Sequence, residues 1–270
     1  MTVVQDRAPV PSHSTGSNGA SATIPLTRIT TTELRKMLDT RSGFWTVASI
    51  ALVSLLTTGA VILFADHEDL TYRTFTSAIN VPMGLILPII AILSVTAEWS
   101  QRSGLTTFTL VPRRSRIIAG KLIASLVVAL VATPVAFAIG AVGNIAGTAI
   151  AGVDPVWDLT AANLLMIELA NVLGMLVGFM LGVLVRSSAG ALVAYFLYQF
   201  LLPTLALILA VQQDWFRELQ PWVDFDFATG ALLEGSVTSQ QWSQLAVTGL
   251  IWLVVPLAAG LRLVVRAEVK

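Results

Sequence analysis

From residue 44 onward, long apolar runs alternate with short polar breaks. A helix needs about 20 apolar residues to cross roughly 30 Å of hydrocarbon. Six runs reach that length, near 44–65, 75–97, 117–141, 161–185, 189–211 and 243–265. The pattern predicts an all-α membrane protein with six transmembrane helices. The first run opens with Phe44 and Trp45, rings suited to the membrane interface. Pro82 and Pro88 predict a kink in the second. The third holds Pro134 and then Gly140, Gly143, Asn144 and Gly147, which predict an end that bends or partly unwinds. Gly174, Gly178 and Gly182 recur every four residues in the fourth, one flat face for close packing, as a fixed contact or a sliding seam.

Ahead of the spans, residues 1–27 are rich in Ser, Thr, Pro, Gly and Ala without periodicity, the composition of a disordered tail. The remainder, 28–270, reads as one six-helix domain. Thr31 or Thr32 can cap a helix with Glu33 in its first turn. Leu34, Met37 and Leu38 fall on one side of that helix and Arg35, Lys36 and Arg41 on the other. This is an amphipathic interfacial helix.

Composition agrees with a membrane. Hydrophobic residues make up 55% and charged residues 12%, about half the usual charged share of a soluble domain. Net charge is zero, so nothing points to a nucleic-acid partner. The first apolar run follows about forty polar residues, which argues against a cleavable signal peptide. Charge distribution sets the orientation. With both termini cytoplasmic, all of the 16 basic residues except Arg73 and Arg217 fall on the inner side. Asp66, Glu68, Asp69, Asp154, Asp158, Asp214, Glu218, Asp224, Asp226 and Glu234 fall on the outer side. The expected location is a bacterial plasma (inner) membrane, in contact with lipid.

Two polar breaks stand out. The first, 98–121, carries Arg102, Arg113, Arg114, Arg116 and Lys121 against the single acid Glu98. Glu98 and Arg102 are four apart, a favourable helical pair. Ser103 and Gly104 loosen the chain, and Pro112 interrupts any helix. The prediction is a short helix, a bend at Pro112 and a new helix starting near Arg116. Such a cytoplasmic elbow suits either a grip for another protein or a plain orientation anchor. The second break, 212–242, mixes Trp215, Phe216, Trp222, Phe225, Phe227 and Trp242 with acids around Pro221. It is too polar to cross and too aromatic for a free loop.

Chemistry is sparse. There is no cysteine, hence no disulfide or thiolate metal site, and His13 and His67 lie far apart. A phosphate-binding G-x-x-x-x-G-K-[ST] loop is missing, since Ser115 stands at the first glycine position and Leu122 follows Gly120-Lys121. H-E-x-x-H and G-x-S-x-G are also missing, and Ser187-Ser188 has no nearby histidine. The chain is not expected to be an enzyme by itself, nor to bind a cofactor or metal. Glu168, within the fourth span, is the ionisable residue that calls for explanation. A charge at mid-membrane costs on the order of 2.5–3.5 kcal/mol, so it should face protein or a wet cavity. Asn171 and Asn163 make part of the same helix polar. Glu168 then either lines a transport route with Asn171, Asn144 and Gln199, or makes an interhelical hydrogen bond to Asn144 or Gln199.

Glu98, Gly104 with Thr106 and Thr107, Leu110-Val111-Pro112, Ser115-Arg116 and Gly120-Lys121 resemble the first cytoplasmic loop of permease subunits in the bacterial type-two ATP-binding-cassette exporter family. Hydropathy and loop lengths extend the likeness over about residues 30–270. The resemblance implies a coupling helix in which Glu98, Arg102, Gly104, Thr107, Pro112 and Arg116 contact a separate ATP-binding subunit. ATP and magnesium would sit on that partner. It also implies pairing with a second copy or a related permease. Short outer helices between spans five and six would place Trp215, Phe216, Trp222 and Phe225 at an outer gate. The E-A-A…G pattern of importer permeases is missing from the loop after span two. Two rivals stay open: a self-contained secondary transporter or channel, and a non-transporting scaffold or sensor subunit.

Overall fold

The structure, a computed structural model, describes residues 25–39, 41–100 and 114–266. Pro25 opens the first helix, α1 (Leu26–Asp39), and its carbonyl accepts from the amides of Arg28 and Ile29. The helix therefore starts earlier than the capping pattern predicted. Thr31 and Thr32 are interior, and their hydroxyls donate to the carbonyls of Thr27 and Arg28 at 2.9 Å each. Glu33 lies past the first turn. α1 begins inside the stretch expected to be a tail, and residues 1–24 lie outside the described residues.

Among the described residues six helices are long and apolar enough to cross a membrane. The first four are α2 (Arg41–Phe64), α3 (Tyr72–Ser100), α4 (Arg114–Ala151) and α5 (Ala161–Val185). The last two are α6 (Ser188–Gln212) and α9 (Ser239–Leu263). Between these two lie α7 (Asp214–Val223) and α8 (Phe225–Gly230). Polar residues mark the helix starts as capping chemistry requires. Thr160 with Asn163 and Thr238 with Gln241 form reciprocal capping boxes at α5 and α9. Arg186 ends α5 in the left-handed region, at φ 56°.

α3 and α5 form the most extensively packed pair, with α2 and α4 against α3 and α9 beside α5. Their interface holds a core of Ile79, Met83, Leu87, Met175, Phe179 and Val183. Gly178 lets α5 approach the backbone of α3: a Cβ there would lie 2.7 Å from Pro88 Cα. The four-residue glycine spacing is thus a packing face. Pro88 lacks an amide for the carbonyl of Gly84, and the Tyr195 hydroxyl donates to that carbonyl at 2.6 Å instead.

The third span differs from expectation. It stays helical to Ala151 through Gly140, Gly143, Asn144 and Gly147. These small residues admit neighbours instead of loosening the helix. A Cβ on Gly143 would lie 3.0 Å from the Phe75 ring, and one on Gly147 at the same distance from that ring and 3.1 Å from Ile62.

At one end of the bundle the connections are acidic and knit together. Tyr72 N–H donates to Val156 O at 3.0 Å, Arg73 N–H to Asp158 Oδ1 at 2.8 Å, and Asn163 Nδ2 to Gly235 O at 2.8 Å. The opposite end carries α1 and the basic segment around Arg114–Lys121.

Candidate functional site

Three places collect the polar and aromatic residues of interest. The first is at the basic end, where Ile29, Glu33 and Met37 lie at four-residue spacing on the face of α1 turned to the bundle. Gly120 admits that face so closely that a Cβ would lie 2.6 Å from Ile29 Cγ2. One turn of chain further, Lys121 Nζ reaches Glu33 Oε2 at 2.8 Å and Ser94 O at 2.9 Å. Lys36 Nζ holds the other carboxylate oxygen at 2.7 Å. The Glu33 and Lys121 side chains are 8% and 6% exposed, so this is a buried ion pair. Burial alone would raise the Glu33 carboxyl. The adjacent Lys121 charge and the hydrogen bonds from Lys121 and Lys36 outweigh it and hold the group below its ordinary value. One acid thereby ties α1 to α3 and α4. Sequence reading placed Glu33 and Lys121 separately and missed the bond. The available signal was an acid on the apolar side of α1, between Ile29 and Met37.

The expected elbow emerges from these same helix ends. Glu98 lies in the last turns of α3, and Arg116, half-buried, in the first turn of α4. Arg102, Gly104, Thr107 and Pro112 lie outside the described residues, as does the pairing of Glu98 with Arg102.

The second place is the bundle interior at Glu168. Thr133 of α4 lies beside its carboxyl. Yet among the described residues neither carboxylate oxygen, nor Thr133 Oγ1, nor Asn171 Nδ2 makes a hydrogen bond of good geometry. The partners expected for Glu168 are engaged elsewhere. Asn144 Nδ2 donates to Val156 O at 3.0 Å, and Gln199 Oε1 lies 3.2 Å from the Tyr195 hydroxyl. Asn144 and Gln199 thus make no bond to Glu168 among the described residues, although Asn144 Oδ1 is itself without a partner; Glu168 and Asn171 stand three apart on α5. Buried polar groups are costly unless bonded, so a cluster of them within a span is a candidate functional position.

The third place lies between α6, α9 and the short helices at the acidic end. α6 carries a π turn at Leu197–Leu201 and α9 one at Leu250–Val254. Each closes two residues before a proline, Pro203 and Pro256. A proline ring clashes with the carbonyl four residues back and offers it no amide, and widening the turn relieves both problems. Tyr198 and Trp252, one from each π turn, meet with ring centroids 6.0 Å apart. Trp252 Nε1 donates to Val223 O at 2.6 Å, satisfying a carbonyl at the end of α7.

Beside these rings opens a cavity of about 220 Å³, walled also by Phe216, Phe225, Asp224 and Asp226. Of the four expected gate residues, Phe216 and Phe225 line it. Trp215 is exposed and stands edge-on to Phe216 at 5.7 Å, and Trp222 is half-buried away from the lining. Asp224 caps α8 through the Phe227 amide and accepts from Gln220 Nε2 at 3.1 Å. Asp226 is pushed above the usual carboxylate range by burial first and by the Asp224 charge second. Sequence reading singled out neither π turn, nor Tyr198 or Trp252. The prolines were the visible signal.

Taken together, the described residues form an all-helical fold with six helices able to span a membrane. No family model matches the chain, and no curated protein matches it.

Proposed function

We propose that the chain is the permease subunit of an ATP-driven exporter of the type-two ATP-binding-cassette family, working as a pair of six-helix subunits, each docked to a separate ATP-binding subunit. The observation that carries this reading is the buried Glu33–Lys121–Ser94 junction at the foot of the basic segment. A partner pushing on a loop moves the spans only if the loop's anchors are rigid. Here the interfacial helix and the ends of α3 and α4 are joined into one block, so a push on any of them reaches the α3–α5 core. In this reading the basic end faces the cytoplasm of a bacterial cell and both termini lie there. The α7–α8 segment closes the route on the outer side. The exposed face of α6, with Val193, Phe196 and Phe200 uncovered, meets lipid or the second copy. ATP and magnesium belong to the partner.

The test is reconstitution of the full chain with and without a P-loop ATPase recovered from the same native membranes. ATP-dependent export, lost in Glu98→Ala or Gly104→Pro while membrane insertion is kept, is the expected result. Cargo movement by the isolated chain would remove the reading. That second outcome is what the unpartnered Glu168 carboxyl favours, as a proton- or ion-coupled carrier. Glu168→Gln separates the two: a carrier loses its pH-dependent flux, whereas an exporter subunit keeps ATPase coupling.

A further inference from the structure

We propose that the cavity between the two π turns and α8 binds a small organic ammonium ion. Four aromatic rings, Tyr198, Phe216, Phe225 and Trp252, form its walls, and ring faces attract cations when water is displaced. Two carboxylates, Asp224 and Asp226, stand on the same lining. Asp224 has its local duty as a helix cap, met by Phe227 and Gln220. Asp226 has none: among the described residues its carboxylate takes part in no hydrogen bond or ion pair, though it is half-buried. Arg217, the one basic residue of the segment 213–238, is engaged with Ala210 O and Asp214. The wall is therefore negative and aromatic, with no positive side chain on it.

That chemistry discriminates among guests. An anion meets two carboxylates. A divalent metal ion needs several oxygen ligands, and among the described residues no group of three or more acids or histidines is placed to hold one. An uncharged guest leaves the two neighbouring acids uncompensated. An ammonium group bearing a ring or short alkyl arms satisfies both kinds of wall at once, its charge toward the carboxylates and its carbon against the aromatic rings. Location adds a second point: π turns interrupt two spans where their rings meet, and such turns concentrate at functional positions.

Binding needs neither ATP nor a partner, so it stands or falls separately from the exporter reading. The experiment is equilibrium dialysis of radiolabelled benzyltrimethylammonium against the full chain in phosphatidylcholine nanodiscs, with protein-free nanodiscs subtracted. Saturable binding is expected. Asp226→Asn should weaken it about ten-fold or more, since it removes the unengaged charge of the lining. Asp224→Asn keeps a capping side chain and should weaken it less. Tyr198→Phe should bind as the parent does, and Tyr198→Leu several-fold more weakly. Neopentylbenzene, the uncharged isostere, should not compete, and neither should benzylsulfonate. The proposal is overturned by an absence of saturable binding, by equal competition from the uncharged isostere, or by unchanged affinity in Asp226→Asn. Should Asp226→Asn fail to fold, Asp224→Asn and the choice between charged and uncharged ligands decide the matter in the parent protein.

Discussion

In the α3–α5 pair, Pro88 is pressed against Gly178, and the carbonyl it leaves without an amide is taken by Tyr195. In α6 and α9, Pro203 and Pro256 follow π turns that widen the helix beside a cavity. The same residue serves opposite ends. Where a neighbour supplies a close surface and a donor, the proline becomes a packing surface. At Pro203 and Pro256 the backbone absorbs the defect by changing its winding, whereas the exposed Pro134 sits in α4 without a π turn. Burial follows the same division: 44% of the apolar window of α3 and of α5 is buried, against 6% in α6. One half of the molecule is a frame, and the other is a surface able to change.

The frame is the easier half to break, and its junction with α1 should break hardest. Leaving one member of a buried ion pair without its partner costs about 3–5 kcal/mol. Lys121→Met removes the buried partner and leaves Glu33 only the half-exposed Lys36, so it is expected to loosen α1 by part of that cost, read as reduced cross-linking between cysteines placed on α1 and α4. Glu33→Gln/Lys121→Met together should be milder than either alone. Acid tests the same bond. Because the folded Glu33 carboxyl is held below its ordinary value of 4.5, its contribution is complete above that value. It is lost as pH falls through the lower, folded value. Docking of α1 that weakens between pH 8 and 6 would contradict the assignment.

Next comes the α3–α5 contact. Gly178→Ala drives a methyl group into the Pro88 backbone and should cost about 1–3 kcal/mol in reversible unfolding in detergent. Gly84→Ala is the matched control: no atom lies within 4 Å of a Cβ there, so it should be neutral or slightly stabilising. Equal damage from the two would dissolve the distinction between frame and surface. Tyr195→Phe should cost roughly 1–3 kcal/mol, because the Gly84 carbonyl loses its donor.

The smallest effect is expected in the changeable half, with opposite sign. The Asp226 carboxyl is raised by burial and by Asp224, so keeping it ionised works against folding as pH rises above the ordinary range for aspartate. Asp226→Asn should therefore raise the melting midpoint at neutral pH and leave it nearly unchanged in acid. A lower midpoint at neutral pH would show that the carboxylate supports the fold.

Much of this architecture was legible from the linear chain, and the reasons are local. A span is a length of apolar sequence, so five of the six were placed within a few residues, while the third runs on to Ala151, well past its expected end at 141. The glycine face at Gly174–Gly182 depends on neighbours in sequence; the caps at Thr160 and Thr238 are equally local but were not read from the chain. The misreadings came where a distant part of the molecule decided between two local options. Gly143 and Gly147 are equally suited to unwinding and to close approach, and Phe75 settled the choice. Thr31 and Thr32 are able caps, but the helix had already begun at Leu26 after Pro25.

The sequence by itself determined a helical membrane protein of six spans, with most basic residues in the breaks of one side and most acids in those of the other. Hydrocarbon thickness and the cost of burying charge act on composition alone. Only the tertiary structure decided that Glu33 meets Lys121 across 88 residues, that Glu168 faces Thr133, and that Tyr198, Trp252 and Asp226 share one cavity. Each of these needs helices set at particular rotations and heights, and those come from close contacts such as Gly178 on Pro88 and Gly120 on Ile29, which no run of neighbouring residues specifies.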